Sequence, residues 1–176
     1  VDAAVDSGYT LPPATDFESV TARGVVATVE GRVIIAGNRR LIDERGIEIV
    51  TPRHESCAAH MAGAYARLTG KLGVCMASNG PGVANLLPGL AVENAEGNRV
   101  LAITSCRRPQ IVYPDRGGTY QSFDQVGAIS HLAKWSHSVV SFDRVAELGR
   151  TALRYCYEGR PGVVHLDVPE TIMNGK

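Results

Sequence analysis

What most constrains this chain is an alternation. Short apolar runs rich in β-branched residues recur at 25–29, 47–50, 73–77, 100–104, 136–140 and 163–168, and helix-length segments separate most of them. Parallel strands joined by crossover helices produce that rhythm, and the runs that are apolar at consecutive positions suit strands covered on both faces. The expected fold class is therefore α/β: a doubly wound, mostly parallel six-stranded sheet with helices on both faces. A length of 176 residues suits one domain with one core, placed at 16–176. Residues 1–15 combine Gly8, Pro12 and Pro13 with small polar residues and no period, so they read as an extended N-terminal arm.

The segments between the runs carry the 3.6-residue period. Residues 55–68 place Ala58, Met61, Ala62, Tyr65 and Ala66 on one stripe and stop at Thr69-Gly70, as a glycine-capped helix does. Residues 83–95 follow Gly80-Pro81-Gly82, and 143–157 open on an acid that can cap and close at Glu158-Gly159. Residues 105–122 hold two prolines, a Gly-Gly pair and no period. A connection of that length inside a compact domain usually serves function.

Composition excludes several classes of function. Lys+Arg 18 balance Asp+Glu 18, so the general attraction to nucleic acid or an anionic membrane is missing. No apolar run approaches the ~20 residues that a bilayer requires. The start carries Asp2 and Asp6 where a secretory signal would be basic. A soluble, cytoplasmic protein is expected. Cys57, Cys75, Cys106 and Cys156 stand apart, two of them inside apolar segments, which fits reduced, buried thiols. His54, His60, His131, His137 and His165 lack metal-ligand spacing, so no metal site is expected in this chain. No Gly-x-Ser-x-Gly elbow occurs to suggest a serine hydrolase.

Three places could carry chemistry. Arg53-His54-Glu55 sits where an expected strand hands over to the best helix. An acid there is stabilised by free N–H groups and the macrodipole, which is the ordinary explanation of Glu55. The carboxyl end of a parallel strand is also where open α/β sheets bind ligands, and a carboxyl group partly desolvated by Ala58 and Ala59 can trade a proton with a ligand nitrogen. Ser78-Asn79-Gly80-Pro81-Gly82-Val83-Ala84-Asn85 follows another buried run and opens a helix. Its glycines permit close approach to a ligand, and they equally permit a tight strand-to-helix turn; dinucleotide spacing and a phosphate-loop Lys are both absent. In the long connection, Tyr120-Gln121-Ser122-Phe123-Asp124-Gln125 sets amides beside aromatics, which can line a pocket or tie the loop down.

Taken together and in order, these elements resemble the pyrimidine-binding domain of thiamine-diphosphate enzymes, in the acetolactate synthase and benzaldehyde lyase branch. The resemblance runs from about residue 17 to residue 173. It rests on RHESCAAHMAGAYARLTGKLGVCMASNGPGVANLLPGLAVENAEGNRVLAITS, then GGTYQSFDQV, KWSHSV and GRPGVVHLDVPETI. It implies that Glu55 hydrogen-bonds N1′ of the cofactor's aminopyrimidine ring, favouring the imino tautomer whose nitrogen removes the thiazolium C2 proton. It further implies that Ser78, Pro81 and Asn85 lie against the pyrimidine as cofactor-binding residues and that Gln121 faces the substrate. Departures exist. The family's Phe-Gly-x-Pro-Gly-Gly turn is replaced by a shorter Val29-Glu30-Gly31-Arg32-Val33, and Asn79 stands where Ser or Thr is usual. A His-His pair common in the decarboxylases is absent, which favours carboligation or lyase chemistry.

The family holds the diphosphate and Mg2+ through a Gly-Asp-Gly stretch and a downstream Asn pair, neither of which occurs here. The implied partner is a diphosphate-binding domain or subunit, in a homodimer or heterotetramer, acting on 2-keto acids, aldehydes or acyloins. The competing expectation is a non-catalytic regulatory or scaffolding subunit that keeps the fold. A free-standing nucleotide or phosphate binder depends on Gly80–Gly82 alone.

Overall fold

The computed structural model describes residues 14–20, 24–29, 31–37, 39–108, 111 and 120–173. Contacts divide the chain into two compact units, Val1–Thr51 and Pro52–Lys176. Most of the expected N-terminal arm, residues 1–13, lies outside the described residues.

The first unit is an antiparallel meander. Strands β1 (Ala14–Val20), β2 (Gly24–Val29) and β3 (Arg32–Gly37) pair in that order, and helix α1 (Arg39–Glu44) follows. Val29 pairs with Arg32, so only two residues join β2 to β3. A connection that short can make only an antiparallel hairpin, because a parallel neighbour requires a crossover of a dozen residues or more. The expectation that 25–29 belongs to the parallel sheet is therefore corrected: β2 and β3 pair as an antiparallel hairpin. Arg45 pairs with Glu18, and Leu41 and Val26 are buried.

The run at 47–50 is also not a strand. It is irregular, with Ile47, Ile49 and Val50 exposed. An apolar run supplies side chains for a sheet but no neighbouring backbone, and no strand pairs with this one among the described residues.

The second unit is the expected α/β layer structure. Its elements run α2 (Glu55–Thr69), β4 (Gly73–Ala77), α3 (Pro81–Glu96), β5 (Val100–Cys106), α4 (Gln125–Ser130), β6 (Trp135–Ser138), a 3-10 turn (Phe142–Arg144), α5 (Val145–Tyr157), β7 (Val163–Pro169) and α6 (Glu170–Met173). The sheet order is β4-β5-β7-β6, all parallel. Four strands thus replace the six expected, and β4 is an edge. Val100, Ala102 and Val163 face α2, α3 and α4, where Leu86, Leu90 and Ile129 complete one core layer. Leu101, Val164 and Leu166 face Leu148, Ala152 and Cys156 of α5 on the opposite side. The connections through α3 and α4 advance across the sheet on one face, and α5 returns on the other, as crossovers of a single hand require.

Helix α2 is capped at both ends. His54 Nδ1 accepts from Ser56 N–H, and Gly70, at φ 70°, supplies the left-handed residue that ends it. Its buried face is Ala59, Ala62, Gly63 and Ala66, whereas Met61 and Tyr65 of the expected stripe are exposed. The reason is close packing. A Cβ at Gly63 would overlap the Glu93 carboxylate, and one at Gly89 of α3 would sit 2.7 Å from Ser56 O. Only small side chains let α2 and α3 approach that closely. Glu93, buried between them, accepts from Asn98 Nδ2 at 2.6 Å and lies 2.7 Å from His60 Nδ1. A buried carboxylate needs such partners to be tolerated.

Cys75 and Cys156 are buried, while Cys57 is exposed; all four cysteines are free. Burial pushes the Cys75 thiol up to about 12 and the Cys156 thiol up to about 11, so both stay protonated at neutral pH.

Candidate functional site

Glu55 is the first residue of α2, with its side chain half-buried. Asn85 lies in the first turns of α3, and its Nδ2 donates to Glu55 Oε2 at 3.3 Å. A second tie joins the two helices, because Ser56 Oγ donates to Asn85 O at 2.5 Å. Between them runs the turn that links β4 to α3. Gly80 is the N-cap and Pro81 opens the helix, where its missing N–H is no loss.

The glycines of that turn do different work. A Cβ at Gly82 would lie 2.7 Å from Ser78 Oγ and 3.6 Å from Glu55 Oε1, so only glycine lets the Ser78 hydroxyl approach the start of α3 this closely beside the Glu55 carboxylate. Gly80 holds φ 67° and ψ −116°, a conformation that L side chains rarely adopt. A Cβ there would lie 2.5 Å from Gln121 Cα. The second unit thus brings Glu55, Ser78, Pro81, Asn85 and Gln121 to one end of the sheet, around one turn.

Asn79 is buried in the same turn. Its N–H donates to Ser105 Oγ at 2.9 Å, but its Nδ2 is buried without a hydrogen-bond partner. An unpaired buried amide costs roughly 1–3 kcal/mol, which marks the turn as locally unsatisfied.

Behind the turn lies a polar network that joins Gln125, an amide of the singled-out stretch 120–125, to strand residues that sequence reasoning did not single out. Gln125 Oε1 accepts from Gly80 N–H at 2.9 Å, and its Nε2 donates to Ser105 O at 2.9 Å and Asp167 Oδ1 at 2.8 Å. Thr104 Oγ1 also donates to Asp167 Oδ1, at 2.6 Å. That commits the Thr104 hydrogen, so His165 Nε2, 2.8 Å away, must be the donor between them. His165 Nδ1 is then the acceptor for Ser136 Oγ–H at 2.7 Å. The signal was available: Thr104, His165, Asp167 and Ser136 are polar positions of parallel strands, and Ser136 pairs in register with His165. What the sequence alone lacked was the strand order that brings them together.

His165 is 0% exposed, and burial pushes its imidazole down from 6.5 to about 4. Between those values the unfolded chain takes up a proton that the folded chain refuses. Stability is therefore expected to fall as pH drops from about 6.5 towards 4, by about 3 kcal/mol at ~1.4 kcal/mol per unit. Asp167 acts in the opposite sense, because burial raises its carboxyl above 3.8 despite three hydrogen bonds that lower it, and its contribution fades as pH rises. Urea unfolding at a series of pH values checks this: His165→Asn should flatten the acid slope by about one proton.

A cavity of about 270 Å³ opens at the carboxyl ends of β5, β6 and β7, lined in part by Cys106, Gln121, Phe123, Gln125, Ser138 and Asp167. It includes Gln121 but not Glu55, Ser78, Pro81 or Asn85. Parallel sheets present such crevices where neighbouring connections leave on opposite faces, and here α4 and α5 do so. Among the described residues, no group of three His, Cys, Asp or Glu side chains could hold a metal ion, and no helix is long and apolar enough to cross a membrane.

Comparison with known proteins agrees with this fold. Residues 23–128 match the family model described as thiamine pyrophosphate enzyme, N-terminal TPP binding domain. The catabolic acetolactate synthase of Raoultella terrigena is 36% identical over 133 residues, which are 75% of this chain and 23% of that protein. Acetolactate synthase of Bacillus subtilis is 34% identical over 134 residues, 76% of this chain and 23% of the relative. A probable acetolactate synthase large subunit of Methanocaldococcus jannaschii is 33% identical over 136 residues, 77% and 22% respectively. The chain thus spans less than a quarter of the length of these relatives. With an α/β parallel sheet, a Gly-Pro-Gly turn beside a helix-start carboxylate and a family model covering more than half its residues, the chain belongs to the thiamine pyrophosphate enzymes, as their N-terminal TPP-binding domain.

Proposed function

We propose that this chain is the pyrimidine-binding half of a thiamine-diphosphate enzyme of acetolactate synthase type, making or breaking the carbon-carbon bond beside a carbonyl in 2-keto acids or acyloins. The observation that carries the reading is the meeting, at one end of the parallel sheet, of the helix-start carboxyl group of Glu55, the Asn85 amide bonded to it and the Gly80-Pro81-Gly82 turn. An aminopyrimidine is flat, with a ring nitrogen that takes a hydrogen bond from an acid. A carboxyl group beside a Gly-Pro-Gly turn fits that shape and chemistry.

Each residue then has a distinct task. Glu55 offers its carboxyl hydrogen to the ring nitrogen N1′. Asn85 Nδ2, bonded to Glu55 Oε2, orients the carboxyl so that Oε1 is the oxygen turned towards Gly82. Pro81 and Ser78 bound the ring's place, and Gln121, packed against Gly80, faces the substrate. When bound, thiamine diphosphate supplies a nucleophilic carbon for attack on a carbonyl. The diphosphate and Mg2+ are held by another domain or subunit, consistent with relatives more than four times as long as the matched region. The site would form between polypeptide modules, in a homodimer or heterotetramer.

One observation favours the alternative of a non-catalytic, scaffolding subunit. The Val29–Arg32 stretch is a hairpin turn in an antiparallel sheet, so it does not provide the family's substrate-bordering turn in its usual setting. Product analysis separates the readings. The chain combined with its diphosphate-binding half should convert a 2-keto acid to a carboligated hydroxy-keto product. Cofactor binding without any turnover would favour the scaffold.

A further inference from the structure

Gln125 is the first residue of α4 and only 3% exposed. Its side-chain amide reaches the ends of three strands: the turn after β4 through Gly80 N–H, β5 through Ser105 O and β7 through Asp167 Oδ1. Both amide hydrogens and the carbonyl oxygen are engaged. The amide cannot be reversed, because that would set its oxygen against Asp167 Oδ1 and Ser105 O and its NH2 against Gly80 N–H.

The group it holds is the one that shapes the candidate site. Gly80 carries the positive φ of the turn and packs against the Gln121 backbone, and Gly82, two residues on, lies beneath Glu55 and Ser78. We propose that Gln125 is a positioning residue: by fixing Gly80 N–H against β5 and β7, it sets the distance between Gln121 and the Glu55–Gly82 pair. This rests on the pyrimidine-binding reading of that end of the sheet.

Two substitutions test it. Gln125→Met keeps the length and removes every hydrogen bond. Gln125→Glu is nearly isosteric, and its behaviour must depend on pH. Protonated, it can donate to Asp167 and accept from Gly80; ionised, it sets a second negative oxygen against Asp167. The other charged or titratable groups around it are Asp124 beside it, Cys106 at the end of β5 and Arg107 just after it, His165 on β7 and Glu170 on α6. Arg107 is paired with Glu170 at 2.6 Å. His165 is neutral above about pH 4, and burial holds the Cys106 thiol protonated, so neither changes charge between about pH 5 and 8.

The readout is the amide resonances of Gly80 and Gln121 in the full chain, with the hydrogen exchange rate of Gly80 N–H. In Gln125→Met both resonances should move at every pH and Gly80 should exchange at least tenfold faster. In Gln125→Glu they should coincide with wild type measured at the same pH near pH 5 and depart from it towards pH 8. In the assembled enzyme, the same variant should lose about tenfold in thiamine diphosphate affinity over that range, relative to wild type. Unchanged resonances and exchange in Gln125→Met, a pH-independent Gln125→Glu, or an unaltered cofactor affinity would each overturn the proposal. Because the resonances need no cofactor, their failure is distinct from failure of a wild-type assembly to bind thiamine diphosphate, which would contradict the pyrimidine-binding reading.

Discussion

Glu55→Gln is expected to leave the fold intact and slow exchange of the cofactor's C2 proton by a factor of about 10² to 10⁴, the usual worth of a positioned acid. The fold should survive because the amide has the carboxyl's shape and its oxygen can still accept from Asn85 Nδ2. The helix loses one first-turn charge, worth roughly 0.3–1 kcal/mol, and His54 still caps it. What disappears is the carboxyl group's capacity to share a proton with the ring nitrogen. Exchange of C2 hydrogen for deuterium, followed by proton NMR on acid-quenched samples of the assembled enzyme, measures the loss. Near-normal exchange with cofactor bound would remove Glu55 from its role.

Gly80→Ala should do more damage to structure. Forcing an L side chain to φ 67° costs about 1–2 kcal/mol, and the new Cβ would lie 2.5 Å from Gln121 Cα and 3.0 Å from its carbonyl carbon. Those are backbone atoms, which cannot rotate aside, so overpacking adds roughly 1–3 kcal/mol. At ~2–4 °C per kcal/mol the melting temperature should fall on the order of 10 °C, and Gln121 should be displaced. Gly46→Ala is the control. It has a similar positive φ of 79° but nothing within 4 Å of the added Cβ, so it should show the backbone cost alone. Equal losses in the two variants, read by thermal unfolding, would show that Gln121 does not press on Gly80.

Much of the second unit was legible from sequence because its signals are local. The α2 boundaries followed from Glu55 at the start and Gly70 at the end, and 73–77, 100–104 and 163–168 became strands within two residues. Partnership was less legible. Residues 25–29 are a strand, but which sheet a strand joins depends on its connection, and two residues between β2 and β3 decide it. The buried face of α2 was misjudged because the period counts Met61 and Tyr65 as apolar without regard to size, whereas close contact with α3 selects Ala59, Ala62 and Gly63. At the site, Glu55, Ser78, Pro81, Asn85 and Gln121 were each named, since each lies beside a recognisable motif. Gln125 was named only as one amide of the long connection and Asp167 not as a site residue, because their partnership arises only when β4, β5 and β7 end side by side.

The central claim is that this chain supplies a ring-binding carboxyl group and a partner supplies the diphosphate anchor. Calorimetric titration with thiamine diphosphate and Mg2+ tests it directly, on the chain alone, on the diphosphate-binding half alone and on the two together. Saturable binding in the mixture, at least tenfold weaker when Glu55 is Gln and absent from the isolated chain, is the expected result. Tight binding to the isolated chain, or an affinity in the mixture no greater than that of the other half alone, would contradict it.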